Sequence, residues 1–327
     1  MTLKQQIENE AYKLGFSAFG VALAEYDPVG HSKHLSWLGR GYQGSMEYLE
    51  RGPRRRFDPR VHLPGARSVI ACAMNYYSNP EDTPSNPYVS IYARGENYHT
   101  VLRDKLEALV GEMKHLAGDF EYRTFVDTSA FAEKAWARKA GIGFIGRNAM
   151  LIIPPKKKHN PTAARGSFHF LGVIITDLAL EPDSPGIGTC GECSRCIDAC
   201  PTDAIVDDGI VDSNLCISYH TTQNKDEIPR DIAAAMSNMV FGCDICQLVC
   251  PYNSRSVVAT EPHWRPDPQI VGCEIDELVN MTERDFDSRF ANNSIGEFSF
   301  KMFIRNAKIA YTNMRNTLNG NLPKKKA

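Results

Sequence analysis

The chain has 327 residues, of which 43% are hydrophobic and 23% are charged, and its formal net charge is −2. This composition is typical of a globular protein with about two domains. The nearly neutral charge excludes nucleic-acid binding over the whole surface, so any such binding needs a local basic patch.

The ten cysteines are too sparse for a disulfide scaffold. The first 15 residues predict an amphipathic helix rather than a leader peptide. No apolar run approaches the ~18 residues that a membrane span needs. We therefore expect a cytoplasmic protein without membrane contact. In that compartment, clustered cysteines are metal ligands or catalytic groups more often than disulfides.

Residues 1–180 alternate helical and extended patterns, which predicts a layered α/β domain. The predicted helices cover 2–14, 100–116 and 130–140, with two short helical segments between His34 and Arg51. The predicted strands cover 18–24, 68–74, 121–126, 149–153 and 168–176. The order of these strands does not follow from the pattern.

Residues 181–188 are rich in proline and glycine and predict a linker. A second domain, expected over 181–256, contains eight of the cysteines. The remainder, 257–327, is expected to be a short helical region that ends in a disordered basic tail. Its predicted helices cover 274–279, 282–290 and 297–316.

The cysteines of the second domain have the spacing of bacterial ferredoxins. The first run is Cys190-x2-Cys193-x2-Cys196-x3-Cys200-Pro201. The second run is Cys243-x2-Cys246-x3-Cys250-Pro251, with Cys216 upstream. In such runs the last cysteine, which precedes proline, binds the other cluster. One predicted 4Fe–4S cluster therefore has the ligands Cys190, Cys193, Cys196 and Cys250. The other has the ligands Cys200, Cys216, Cys243 and Cys246.

Zinc is the alternative metal, but zinc sites use separated pairs of cysteines rather than such a row. Residues 217–242 separate Cys216 from Cys243, where the compact ferredoxin spacing has two residues. This insert is free to form the wall of another site. The two remaining cysteines, Cys72 and Cys273, are expected to be buried and unmodified.

Two neighbouring clusters form an electron path, which needs an acceptor. No G-x-G-x-x-G follows the first strand and no G-x4-G-K-[ST] occurs, so no nucleotide motif identifies that acceptor. The residues alone leave two classes open. The chain is either an electron carrier of the dicluster ferredoxin type or an enzyme with a further cofactor.

Several segments resemble the epoxyqueuosine reductases, and the resemblance covers about residues 1–315. The matching segments are 56–70, 92–99, 126–148, 166–172, 216–219 and 242–251. The resemblance implies a cobalamin-binding α/β (α+β) domain of the reductive-dehalogenase type, followed by the dicluster domain. It also implies the last step of queuosine biosynthesis, in which epoxyqueuosine at the wobble position of tRNA is reduced to queuosine.

The resemblance further implies the partners and cofactors. The cofactors would be a cobalamin and two 4Fe–4S clusters. The partners would be a tRNA that carries epoxyqueuosine and an external low-potential electron donor, with the protein itself a monomer. Asp127 would be the proton donor, although its position before a predicted helix also suits an N-cap.

The expected cobalamin contacts are Arg56, Asn148, Leu151, Leu171, Ser218, Gly242 and Asp244, and the corrin edge is expected near the first cluster. The expected tRNA contacts are Arg54, Arg55, Lys156, Lys157, Lys158, Thr222 and Lys225. Basic side chains would bind phosphates while one flipped base enters the pocket. The alternative for each basic patch is a solvated charged face.

The sequence departs from the family in two places. The family often continues into a HEAT-like repeat after 305–307, whereas this chain ends soon afterwards, so the tRNA contacts of that repeat are expected to be absent. An insertion at 154–165 replaces the family's short turn. A corrinoid reductive dehalogenase would share these cofactors. That class usually has a twin-arginine leader, whereas Arg54-Arg55 has no apolar stretch after it.

Overall fold

The structure is a computed structural model and describes residues 1–81, 86–127, 130–155 and 165–318. Its helices are α1 (Leu3–Lys13), α2 (Pro28–Gly39), α3 (Tyr98–Ala117), α4 (Glu133–Lys139), α5 (Arg195–Asp198), α6 (Ile217–Thr222), α7 (Arg230–Ala235), α8 (Ile245–Leu248), α9 (Pro268–Val271), α10 (Ile275–Val279), α11 (Glu283–Phe290) and α12 (Phe300–Leu318). Among the described residues, no helix is long and apolar enough to cross a bilayer.

The strands are β1 (Ala18–Leu23), β2 (Ser68–Asn75), β3 (Tyr88–Val89), β4 (Tyr122–Phe125), β5 (Phe144–Ile145), β6 (Leu151–Ile152), β7 (His169–Thr176), β8 (Ile205–Asp207), β9 (Ile210–Val211) and β10 (Met239–Phe241). The main sheet has the order β1-β2-β7-β4, and every pair in it is antiparallel. The first domain is therefore α+β, a distinction that the alternating sequence pattern did not make.

Helices cover the main sheet on both faces. On one face, α1 and α3 bury Ile7, Leu102 and Leu106 against the sheet. On the other face, α4 buries Trp136 and Ala137. The central strands β2 and β7 are therefore buried almost throughout. Their sequences are nearly continuous apolar runs, without the alternation of apolar and polar residues of a half-exposed strand.

Most predicted elements are confirmed, with one notable shift. The first of the two helices predicted after His34 begins earlier, at Pro28. Asp27 caps it by accepting a hydrogen bond from the N–H of Gly30, and proline suits the first helical turn. The second segment is only a 3-10 turn, Glu47–Leu49.

The register of the main sheet brings three chain segments to one edge. Asn75, at the end of β2, pairs with His169 at the start of β7. Phe125, at the end of β4, pairs with Val173. Because these strands are antiparallel, the segments that follow β2 and β4 and the one that precedes β7 must lie together. Asp127, two residues beyond β4, therefore lies at this edge.

The cluster-bearing segment docks on the same edge through a buried polar network. The backbone N–H of Ser167 donates to Asn253 Oδ1 at 2.7 Å, and the Ser167 hydroxyl donates to Gln247 Oε1 at 2.9 Å. Asn253 Nδ2 donates in turn to the carbonyl of Gln247 at 2.7 Å. These bonds fix α8, which contains Cys246, against the start of β7.

The C-terminal helix α12 holds the 217–242 insert in place. The buried amide of Asn306 donates to the carbonyls of Thr221 and Val240 at 2.9 and 3.0 Å. Arg305 donates to the carbonyls of His220 and Asn224 at 2.7 and 2.9 Å. The insert also adds β10 beside β3. The domain boundaries at 180 and 256 remain predictions, and the C-terminal helices contact the insert directly.

We predict that Asn306→Ala destabilises the protein by about 2 kcal/mol or more, because two buried carbonyl oxygens lose their donors. Asn313 is the matched control. It also lies on α12, and its side-chain amide also donates to two backbone carbonyls, those of Ala233 and Ser237, but nearer to solvent. Water can replace the Asn313 amide, so Asn313→Ala should cost about 1 kcal/mol or less. Denaturant unfolding at equal iron content measures both, and equal losses would contradict this account.

Candidate active site and cluster centres

Four cysteines surround the first cluster position. Burial raises the pKa of the Cys250 thiol, and the nearby charges of Cys190 and Cys193 raise it further. Burial and the nearby charges of Cys190 and Cys250 raise the pKa of the Cys196 thiol in the same way. Cys250, from the second run, therefore lies among the first three cysteines of the first run.

The other four cysteines lie together in the corresponding way. The pKa of Cys243 is raised by burial to about 12, with contributions from Cys216 and Cys200. Burial, Cys243 and Cys216 also raise the pKa of Cys246. Both neighbour sets match the crossed ligand pattern that the spacing predicts, although the assignment itself remains a prediction.

The surroundings of the sulfurs suit iron–sulfur clusters. The backbone N–H of Arg147 points at Cys190 Sγ at 3.5 Å and that of Ala204 at Cys200 Sγ at 3.3 Å. Across the described part of the chain, no three His, Cys, Asp or Glu side chains are grouped to hold a single metal ion. Ligands of a 4Fe–4S cube bind four different irons and stand farther apart than zinc ligands. The two backbone N–H groups directed at cysteine sulfurs are the observation that suits iron–sulfur clusters.

Asp127 is the centre of a polar group at the sheet edge. Its Oδ2 accepts a short hydrogen bond from the Tyr98 hydroxyl and lies 3.4 Å from His99 Nε2. His99 Nδ1 lies 3.0 Å from a carboxylate oxygen of Glu297. The Tyr98 ring stacks on Phe170 at 4.3 Å, which fixes the direction of its hydroxyl.

The charge states of this group follow from its contacts. Burial opposes the ionised form of Asp127, but the hydrogen bonds from His99 and Tyr98 outweigh it and lower its pKa. Burial likewise opposes the charged form of His99, but Asp127 and Glu297 raise its pKa overall. Since each ring nitrogen faces a carboxylate, the doubly protonated imidazolium fits best. The contacts therefore favour the protonated form of His99 and the ionised form of Asp127.

Asp127 and Lys134 border the expected cofactor cavity, because the resemblance implies that the cobalamin lies beside Asp127. The Asp127 side chain keeps 66% of its surface accessible, and Lys134 is also exposed. Burial nevertheless disfavours the charged forms of both groups. Their exposure leaves both side chains accessible to a bound cofactor or substrate. The charge of Cys246 also acts on Lys134, so the second cluster position adjoins this cavity.

One alternative interpretation is wrong. Helix α4 begins at Glu133, its N-cap is Ala132, and no side chain caps it. Asp127 lies six residues before that helix and is not its N-cap. Its φ of +50° places it in the left-handed region, which aspartate tolerates better than most residues do. The expectation that the corrin edge lies near the first cluster stays a prediction, and Cys246, which belongs to the second set, is the cysteine whose charge acts on Lys134.

The expected cobalamin contacts fall into two groups. Arg56 is buried and donates to the carbonyl of Tyr48, and its Nε has no hydrogen-bond partner among the described residues. Asn148 donates to the carbonyl of Cys246 at 3.4 Å, which places it beside the second cluster position. Leu151 and Leu171 belong to the apolar cluster under α4. All these roles remain predictions.

The other three expected cobalamin contacts come from the insert and the second run. The Ser218 carbonyl accepts bonds from two threonine hydroxyls. The N–H of Gly242, whose φ is +70°, donates to the Thr221 hydroxyl. Asp244 is buried and accepts bonds from Tyr88, Ser90 and the N–H of Ile91 at 2.6–2.8 Å. Asp244 therefore fixes the second run against the β3 segment.

The expected tRNA contacts differ in accessibility. Arg54, Arg55 and Lys225 are exposed, and Arg54 is also paired with Asp58 at 3.1 Å. The Thr222 hydroxyl is buried and donates to the carbonyl of Ser218, which leaves it no donor for a phosphate. The predicted patch of Lys156, Lys157 and Lys158 lies outside the described residues.

Sequence reasoning missed Glu133, Lys134 and Glu297 as members of the site. Acidic residues in a first helical turn are common, so Glu133 carried no distinct signal. A G-x-G-x-x-G motif also occurs at 141–146, but it links α4 to the β5–β6 hairpin. It does not follow a strand and open a helix, so it is not a dinucleotide site.

Comparison with known proteins agrees with these observations. A family model described as "4Fe-4S double cluster binding domain" matches residues 189–253, and one described as "Epoxyqueuosine reductase QueG, DUF1730" matches residues 56–128. An epoxyqueuosine reductase of Cyclobacterium marinum is 37% identical, covering 92% of this chain and 94% of its own. The chain belongs to the epoxyqueuosine reductase family.

Solved structures of epoxyqueuosine reductases have the same fold as this chain. A selenomethionine-labelled one is 31% identical with a TM-score of 0.87, and the match covers 97% of this chain and 83% of that one. Another, in complex with an epoxyqueuosine-modified tRNA stem loop, is 30% identical with a TM-score of 0.85, over 97% and 82% of the two chains. The predicted fold class is therefore confirmed.

The crossed ligand assignment predicts which cysteine variants behave alike. Cys200→Ala and Cys216→Ala should lose the same cluster signal, whereas Cys250→Ala and Cys190→Ala should lose the other, because each pair shares one cube. Electron paramagnetic resonance of the reduced variants, with iron analysis, distinguishes the two signals. Loss of one signal by both Cys190→Ala and Cys200→Ala would show that each run binds its own cluster.

Proposed function

We propose that this member of the epoxyqueuosine reductase family reduces epoxyqueuosine in the wobble position of tRNA to queuosine. The observation that carries the proposal is the Tyr98–Asp127–His99 group, which shares the neighbouring Lys134 with Cys246 of the second cluster set. It combines a proton source and an electron source at one place. The relative with a bound tRNA stem loop supports tRNA as the substrate class.

Removal of an epoxide oxygen to give an alkene has a fixed balance. Both carbon–oxygen bonds break, two electrons and two protons enter, and the oxygen leaves as water. The two clusters carry electrons singly from an external low-potential donor. A bound cobalamin would supply the low-potential metal chemistry at the carbon–oxygen bond. Arg56, Asn148 and Ser218 are the residues that we propose to hold it.

Asp127 and His99 supply the first proton in this proposal. Asp127 faces the cavity and is the group that reaches the epoxide oxygen. His99 holds the proton at neutral pH and passes it through Asp127, while Glu297 orients the imidazole from its far side. Tyr98 holds the carboxylate in place through its hydroxyl. Because His99 stores the proton, Asp127 can transfer it without a strongly raised pKa of its own.

Electrons enter the cavity from the second cluster in this proposal. The charge of Cys246 contributes to the pKa shifts of Lys134 and Tyr76. The side-chain amide of Asn148 donates to the carbonyl of Cys246. The first cluster, which includes Cys250, would then accept electrons from the external donor. This order reverses the one expected from the sequence.

The remaining parts of the proposal concern the partner and the setting. Phosphate contacts would come from the exposed Arg55 and Lys225 and from the lysines at 156–158, with the flipped base in the cavity. We propose a monomeric protein of the cytoplasm. A simple electron carrier would have no use for the Asp127–His99 pair, which favours the enzyme over that alternative.

Asp127→Asn tests the assignment of Asp127. The variant keeps the shape of the side chain but cannot carry the proton, so turnover should fall by at least the ~100-fold typical of a lost positioned acid. Iron content, corrin binding and tRNA affinity should remain close to normal. Asp119→Asn, on the exposed surface, is the control. Full turnover in Asp127→Asn would move the proton donor to another group.

A further inference from the structure

Arg147 lies in the turn of the β5–β6 hairpin, which packs against the first cluster position. Phe144 and Ile152 pair across this hairpin and form an apolar cluster with Cys190 and Cys250. The hairpin therefore holds its turn at a fixed place beside two of the expected ligands of the first cluster, where a side chain of the turn can act on that cluster.

Arg147 makes two contacts with the first run of cysteines. Its backbone N–H donates to Cys190 Sγ at 3.5 Å, and its guanidinium Nη1 donates to the carbonyl of Cys193 at 3.1 Å. Cys190 and Cys193 belong to one cluster whether the ligands of the two runs are crossed or not. Both contacts therefore act on the first cluster, and the second one fixes a positive charge at the backbone of a cluster ligand.

A carboxylate also binds the Arg147 guanidinium. Arg147 Nε lies 2.8 Å from Asp208 Oδ1, and the N–H of Gly209 donates to the carbonyl of Arg147 at 3.1 Å. The Arg147 side chain keeps 23% of its surface accessible, against 67% for Asp208. Water therefore screens the carboxylate more than the guanidinium, so the net effect of the pair on the cluster is that of a positive charge.

Reduction of a 4Fe–4S cluster adds a negative charge to a group that its four thiolate ligands already make anionic. A neighbouring cation and N–H groups directed at the sulfurs favour the reduced form, since net charge and such hydrogen bonds set the reduction potential. The next residue, Asn148, donates instead to the carbonyl of Cys246 and carries no charge. The same turn therefore places a cation beside the first set of cysteines and a neutral amide beside the second.

We propose that Arg147 raises the reduction potential of the first cluster and so enables it to accept electrons from the external donor. In each transfer the first cluster gains one electron from a low-potential electron carrier and is reoxidised when it passes that electron to the second cluster. The use of Arg147 in electron entry rests on the proposed function, whereas the raised potential requires only the clusters. Arg147 acts through the cluster and is a positioning residue.

Redox titration of the iron-loaded protein, followed by electron paramagnetic resonance, tests this role without substrate or cobalamin. Arg147→Gln removes the charge and keeps a donor. At a fixed solution potential, the ratio of reduced to oxidised first cluster should then fall about tenfold, which is ~59 mV for a one-electron couple. Arg147→Lys keeps the charge and should retain most of the wild-type ratio.

The second cluster is the internal control for this titration and should titrate as in the wild type, while Cys190→Ala identifies the signal of the first cluster. An unchanged titration of the first cluster in Arg147→Gln, at equal iron content, would overturn the proposal. An equal fall in Arg147→Lys would also overturn it, because the loss of a purely structural contact would not depend on charge.

Asp208→Asn keeps the proposal testable even if Arg147→Gln fails to bind iron. This variant leaves the guanidinium in place and removes the opposing charge, so the ratio of reduced to oxidised first cluster should rise. An unchanged or lower ratio would contradict the proposal.

Arg195→Gln is the matched control for the charge of Arg147. Arg195 lies between Cys193 and Cys196 in the same run, but its side chain is exposed. Water screens its charge, so its loss should shift the titration less than the loss of Arg147 does. An equal shift would show that any cation near the cluster has this effect and would refute the specific role of Arg147.

Turnover separates this proposal from the proposed function. Wild-type protein that is reconstituted with cobalamin and reduced by dithionite should convert epoxyqueuosine in tRNA to queuosine. Its failure to do so would refute the function whatever the titrations show. An active wild type whose Arg147→Gln variant keeps the wild-type potential would refute only the role of Arg147.

Discussion

The buried hydrogen-bond network between Ser167, Gln247 and Asn253 determines where the chemistry of this protein can occur. It joins two parts of the chain with different tasks, because β7 belongs to the sheet that positions Asp127 and α8 contains Cys246. Neither part has both a proton source and an electron source. Their fixed contact holds the Cys246 segment against the start of β7, at the sheet edge where Asp127 lies, and burial makes each of these bonds costly to break.

The local chemistry was predictable from the sequence, whereas the arrangement of the parts was not. Cysteine spacing is a short-range signal, so the ligand sets of Cys190 and Cys200 followed from it. The resemblance implied that Asp127 is the proton donor, which stays a prediction. The antiparallel order of the sheet, the approach of Cys246 to the cavity and the role of Asn306 beneath the insert depend on contacts between distant segments. Patterns of hydropathy do not contain that information.

The same long-range contacts set the charge states in the cavity. Asp127 and Glu133 are both carboxylic acids at one edge of the sheet, yet hydrogen bonds to Asp127 favour its ionised form and burial favours the neutral form of Glu133. The two environments therefore shift the pKa values of two like groups in opposite directions. Sequence alone places the two residues six positions apart and does not distinguish them.

The central claim is that the second cluster, with Cys216 and Cys246 among its ligands, adjoins the cobalamin cavity. Pulsed electron paramagnetic resonance between the cobalt of bound cobalamin and each reduced cluster tests it most directly. The shorter cobalt–cluster distance should survive in Cys250→Ala, which lacks the first cluster, and vanish in Cys216→Ala, which lacks the second. The opposite result, in which Cys250→Ala loses the shorter distance, would contradict the account.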